Sequence, residues 1–210
     1  GELTGEFPLL PVQSWFFKQG YVNAEHYNQA FTVQLPAGID KARLETAIAA
    51  LVARHDMLRT RFALSQQGWS QVYTQHSTGA PLVEMNVSLY DGQPDVRRSQ
   101  IDQKVTELQS QFDFVDGYLW QPVHLSGYPD GTSKVVFALH HLIVDSVSWR
   151  IIADDLKLNL TNHVLADKTS SYRQWTQAVQ QYAQENSHQV DYWRGVTADF
   201  NSESINQVDV

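Results

Sequence analysis

The stretch KVVFALHHLIVDSVSWRII, residues 134 to 152, constrains the fold most, because an apolar strand runs directly into two consecutive histidines. Side chains alternate faces along a strand, so His141 shares a face with Val135, Phe137 and Leu139 while His140 points the other way. The two rings are poorly placed to chelate one metal. One can open to a cleft while its neighbour packs inside. A short apolar link leads on to Asp145, Ser146, Ser148 and a new helix beginning at Trp149.

The rest of the chain alternates strands with helices. The segment FPLLPVQSWFF, residues 7 to 17, favours an extended lead followed by a helix starting near Pro11 or Val12. Tyr27, Gln29, Phe31, Val33 and Leu35 fall on one face of a strand closed by Pro36 and Gly38. Asp40 is an N-cap for an amphipathic helix over 41–54, with Leu44, Ile48, Leu51 and Val52 inward. A hairpin is expected from strands 58–64 and 70–74 across Gln66, Gln67 and Gly68, then a turn at Asp91–Gly92 and a helix over 94–112. Strands 120–127 and 134–140 flank the turn at Pro129, Asp130 and Gly131. Ser148 is read as the cap of a helix over 149–160 with Ile152, Leu156 and Leu160 buried, and further helices are expected over 172–182 and 190–193. The fold class is therefore mixed α/β.

Bulk properties narrow the function. With 42% hydrophobic residues, 210 residues suffice for a sizeable core, which sets disorder aside. The net charge of -8 and the lack of a basic stripe make nucleic acid an unfavourable partner. The absence of cysteine excludes disulfides, thiolate metal sites and a cysteine nucleophile, and suits a cytoplasmic protein. Neither a signal peptide nor a run long enough to span a bilayer is evident, so no membrane partner is expected. A start at Gly1 and a stop soon after a patterned helix suggest a piece of something longer.

The double histidine is the one concentration of chemistry. A lone histidine on an apolar strand is ordinarily a packed, hydrogen-bonded residue, but one at a strand end with a carboxylate four residues on can serve as a general acid or base. Asp145 could orient a ring or anchor the loop through Arg54, Arg59 or Arg61. We expect it to be structural and tied to Arg59 or Arg54, in which case Asp145→Ala would cost roughly 3 to 5 kcal/mol. A histidine–carboxylate metal site lacks a second cluster of ligands, so no metal is expected. The serines lack a G-x-S-x-G elbow, and there is no phosphate loop or dinucleotide fingerprint.

His140, His141, Leu142, Ile143, Val144 and Asp145 resemble the HHxxxD core of the condensation superfamily of non-ribosomal peptide synthetases, although Ser146 stands where the full HHxxxDG motif has glycine. PVQSWFF, residues 11 to 17, and RHDMLRTRF, residues 54 to 62, resemble two further motifs of that family in the same order. The WFF ending, Asn28 and Gln29 in YNQAF, the VSWRII continuation containing Trp149, and SSYRQW at 170–175 are most similar to epimerization domains.

The resemblance implies one lobe of a chloramphenicol acetyltransferase-like fold, in which two lobes form a V around an active-site tunnel. Residues 1–210 would be the N-terminal lobe, with the C-terminal lobe and its catalytic glutamate outside the sequence. The implied substrate is an aminoacyl or peptidyl thioester on the 4'-phosphopantetheine arm of a peptidyl carrier domain, and the partners are that domain and neighbouring synthetase domains. His141 would move the Cα proton, supported by His140, Asp145, Arg59, Arg54, Ser146 and Trp149. No cofactor of the chain's own is implied. The rivals are a condensation domain, in which the same histidine assists amine attack, and a non-catalytic module that only recruits carrier domains or a partner enzyme.

Overall fold

Seven strands and six α-helices follow from this pattern in the computed structural model, which describes residues 2–75, 80–90 and 93–198. In chain order they are β1 (Gly5–Phe7), α1 (Pro11–Gln19), β2 (Asn28–Leu35), α2 (Lys41–Arg54), β3 (Thr60–Ser65), β4 (Gly68–Tyr73) and β5 (Val83–Asn86). Then come α3 (Pro94–Gln109), β6 (Trp120–Ser126), β7 (Ser133–His140), α4 (Ser148–Leu160), α5 (Tyr172–Glu185) and α6 (Val190–Ala198). The strands form two sheets, ordered β1-β4-β3 and β2-β7-β6-β5.

The larger sheet carries the histidines. β7 pairs antiparallel with β2 on one side and β6 on the other, placing Phe137 opposite both Phe31 and Pro122. Its odd-numbered residues Val135, Phe137 and Leu139 are fully buried beneath α2 and α4. There Leu44, Leu51 and Leu156 lose all or nearly all contact with water, each worth ~1.5–3 kcal/mol. The opposite face packs α3 through a second apolar cluster of Val123, Leu125, Ile101 and Val105. A sheet covered on both faces needs apolar residues in both parities, which is why β7 reads as an almost continuous apolar run.

Most expected elements are present with shifted ends. Asp40 caps α2 by accepting the Arg43 amide at 2.8 Å. The hairpin closes over Gln66–Gln67 alone, with Gly68 taking a φ of 107° as the first residue of β4. Leu58 does not begin a strand, because residues Asp56–Arg59 wind into a 3-10 turn held by the Asp56–Arg59 ion pair at i,i+3. α3 ends at Gln109 rather than 112, while α5 and α6 run to Glu185 and Ala198. β1 and β5 are additions to the expected set: at three and four residues they are too short for alternation to register. β5 joins β6 in parallel register. The Asp91–Gly92 turn lies outside the described residues.

Candidate active site

The site is built where β7 runs out. Its last residue, His140, sits opposite Asn28 of β2, and its amide bonds to Leu119 O at 2.8 Å. The chain then turns, but one further rung persists as the His141 amide donates to Tyr27 O at 2.8 Å. Sheet geometry is thereby carried one residue past the strand, and the alternation of faces with it. His140 is fully buried and His141 is exposed, on opposite sides.

Both nitrogens of His140 are occupied. Nε2 donates to Ala24 O at 2.8 Å, and Nδ1 accepts the Leu142 amide at 3.1 Å. Phe16 and Phe114 meet the ring edge-to-face, with centroids 5.5 and 5.1 Å away. Burial among apolar groups disfavours the imidazolium and pushes its pKa down to about 4. His140 is thus a neutral, fully bonded scaffold residue at neutral pH.

His141 is held differently. Nδ1 donates to Val144 O at 2.8 Å, which fixes the tautomer and leaves Nε2 with its lone pair in the neutral ring. That lone pair faces the amide nitrogen of Gln29 at 3.2 Å. The ring of Tyr27 stacks on the imidazole at 5.5 Å and 17°. An imidazole braced at Nδ1 can take and return a proton at Nε2 where a substrate displaces the Gln29 amide from that lone pair.

Asp145 corrects the sequence reading. Neither Arg54 nor Arg59 reaches it, and its carboxylate instead accepts the Val147 amide at 3.1 Å, the Ser148 amide at 2.7 Å and the Ser148 hydroxyl at 2.6 Å. Ser148 is therefore the first helical residue rather than the cap, and Asp145 satisfies the free amides at the start of α4. These bonds, the Ser148 hydroxyl foremost, pull the Asp145 pKa below the usual carboxylate value. The arginines have other partners. Arg59, wholly buried, pairs with Asp56 and donates to Leu3 O and Thr74 O, while Arg54 Nε reaches Asp155 at 2.9 Å.

Ser146 is exposed and keeps a negative φ, so the position makes no demand for the left-handed backbone that favours glycine. Trp149 is a packing residue, stacked on Phe31 at 5.4 Å. Among the described residues no group of three or more His, Asp or Glu converges as metal ligands would.

His141, Asp145 and Ser148 open into a cleft of about 570 Å³ whose lining also includes Arg54. His140, Arg59 and Trp149 stay outside it. One wall is α1, through Val12, Gln13, Trp15 and Phe16; the facing wall is Ile151 of α4 with Tyr172 and Trp175 of α5. Burial raises the Tyr172 hydroxyl to about 12, so it is a neutral hydrogen-bonding group. At the base, Asp155 bridges Arg54 and His55, and Lys168 meets Asp56 at 3.0 Å. The cleft is thus mostly apolar with a few fixed polar groups, as sites for extended organic ligands are.

Sequence reasoning missed Gln13. This buried side chain exchanges amide hydrogen bonds with Gln71 at 3.1 Å and also donates to Leu142 O at 3.1 Å, tying α1 and β4 to the segment after the histidines. A glutamine inside the apolar run PVQSWFF was the available signal, since a polar residue buried among aromatics must be bonded.

This arrangement can be set beside known proteins. The profile of the Condensation domain family matches residues 4–205. The chain is 37% identical over 205 residues to N-(5-amino-5-carboxypentanoyl)-L-cysteinyl-D-valine synthase of Amycolatopsis lactamdurans, covering 98% of this chain and 5% of that protein. It is 34% identical over 201 residues to a linear gramicidin synthase of Brevibacillus parabrevis, covering 92% of this chain and 4% of the relative. The chain thus spans only about a twentieth of these relatives.

The solved epimerization domain from the third module of tyrocidine synthetase B superposes with a TM-score of 0.82 at 25% identity, over 96% of this chain and 47% of that one. The starter condensation domain of rhizomide synthetase superposes at 0.77 with 18% identity, over 94% of this chain and 49% of that one, a likeness of fold alone. Both neighbours have the chloramphenicol acetyltransferase-like fold expected from the motifs, with sheets and flanking helices as here. Profile, relatives and fold agree with the double histidine and its cleft: the chain belongs to the condensation-domain family of the non-ribosomal peptide synthetases and resembles an epimerization domain.

Proposed function

We propose that the chain is the N-terminal lobe of an epimerization domain, which inverts the Cα centre of an aminoacyl or peptidyl thioester, with His141 as a proton-transfer residue. The observation that carries the reading is the 2.8 Å bond from His141 Nδ1 to Val144 O, which leaves Nε2 as the basic nitrogen of a ring that lines a cleft of about 570 Å³. In the reaction Nε2 takes the Cα proton, and the C–H electron pair moves into an enolate whose charge rests on the thioester oxygen. A second acid on the opposite face returns a proton to Cα, and His141 then gives up the one it holds. Substrate and product have the same composition.

The second acid, by resemblance a glutamate, belongs to the other half of the domain. The tyrocidine synthetase neighbour, twice as long as the matched region, is consistent with this division. The relative with 37% identity is named for a product containing D-valine, which also suits epimerization. The thioester would arrive on the 4'-phosphopantetheine arm of a carrier domain. This lobe alone is expected to be inactive, since one wall of the tunnel and one proton donor are missing.

Condensation is the second reading, favoured by the family profile and by the fold of the starter condensation domains. The test is to present the intact domain with a loaded upstream carrier, with and without an acceptor aminoacyl carrier. Epimerization gives a D/L mixture on the donor without any acceptor. A peptide bond formed with retained configuration overturns the proposal.

A further inference from the structure

We infer that the apolar faces of α5 and α6 seat the second half of the domain, in a permanent contact within one polypeptide. The inference rests on reading the chain as one half of a domain, and not on the chemistry at His141. Every residue of α6 is exposed. The helical repeat nevertheless gathers Val190, Tyr192, Trp193 and Val196 on one side, while Asp191 and Arg194 share the other and pair at 3.2 Å. Trp193 is 57% exposed, and its indole reaches no further than Gln189 in the turn before the helix, at 3.4 Å. A helix of nine residues is shorter than the ~12–15 at which even favourable sequences become marginally helical in water. Its stability has to come from something packed against the apolar side.

α5 presents the same problem beside the cleft. Trp175, Val179 and Tyr182 follow one another at i, i+4 and i+7, with Trp175 56% and Tyr182 60% exposed. Trp175 also lines the cleft, so this stripe starts at the cleft mouth. Exposed apolar surface concentrated in this way marks an interaction face. Its composition selects the occupant. Aromatic and aliphatic residues without charge are typical of the cores of permanent interfaces. A carrier domain that docks and leaves would return Tyr192 and Trp193 to water between visits. The family profile runs through α6 to residue 205, and the epimerization domain of tyrocidine synthetase B is about twice as long as its matched region. The other half of such a domain is tethered beside α6, at an effective concentration that no separate protein reaches.

Hydrogen exchange and maleimide labelling of the intact domain test this. Residues 1–210 contain no cysteine, so single cysteines can be read once any elsewhere in the domain are replaced by serine. Val190→Cys and Val196→Cys probe the apolar side of α6, and Asp191→Cys and Arg194→Cys probe the polar side. The first pair is expected to label at least roughly tenfold more slowly than the second in the native domain, and equally fast in urea. In the wild type, the amides of 190–198 are expected to exchange slowly without any carrier domain and across a wide dilution series. Equal labelling of the two sides overturns the proposal, as does exchange of the α6 amides at the rate of a free chain. Protection lost on dilution assigns the face to a second copy, and protection gained only with an added carrier domain assigns it to that domain; either result also overturns the proposal. None of these readouts depends on turnover. A peptide bond formed by the intact domain removes the epimerization reading and leaves this one standing, whereas D/L mixing with an unprotected face does the reverse.

Discussion

The carboxylate of Asp145 accepts both the amide and the hydroxyl of Ser148, at 2.7 and 2.6 Å, and so closes the first turn of α4 onto the loop that carries His141. A cap of this kind is worth about 1 kcal/mol, well below a buried ion pair. Asp145→Ala should therefore lower stability in urea unfolding by about 1 kcal/mol, and Asp145→Asn by less. A loss of several kcal/mol would mean that Asp145 has a charged partner after all.

The buried ion pair lies elsewhere in the RHDMLRTRF segment. Arg59 is wholly enclosed, and Asp56 is its only acidic partner among the described residues. Removing one member strands the other, so Asp56→Ala should cost roughly 3 to 5 kcal/mol by the same unfolding measurement. A change under about 1 kcal/mol would show that the carbonyls of Leu3 and Thr74 suffice for Arg59.

These two carboxylates mark the boundary of what the sequence makes legible. Spacing alone located the helices, the two strands around Pro129–Gly131 and the opposed histidines, because periodicity and alternation are local properties. Partner choice is not local. Three arginines stand within eight residues in 54–61, and nothing in their order says which of Asp56, Asp145 or Asp155 each will meet. Only the 3-10 turn at Asp56–Arg59 and the packing of α4 on α2 decide it. The same holds for Gln29, whose strand and face were readable but whose contact 112 residues away was not.

His140 gives the stability a dependence on pH. Its pKa in the folded chain is about 4, below the ordinary value of 6.5, so the unfolded chain binds the proton first as pH falls. The contribution is complete above pH 6.5 and is lost as the pH drops towards 4. Over that window it amounts to roughly 3 kcal/mol. The difference in urea-unfolding stability between wild type and His140→Leu should shrink by about that amount between about pH 7.5 and pH 4. A difference independent of pH would contradict the burial of a neutral ring.

The central claim is that His141 Nε2 moves the Cα proton. The most direct measurement is exchange of Cα hydrogen for solvent deuterium on a carrier-bound aminoacyl or peptidyl thioester, comparing the intact domain with its His141→Ala variant. The account predicts that His141→Ala loses exchange by about 10²–10⁴-fold while still binding the loaded carrier. Exchange at the wild-type rate in that variant would contradict it.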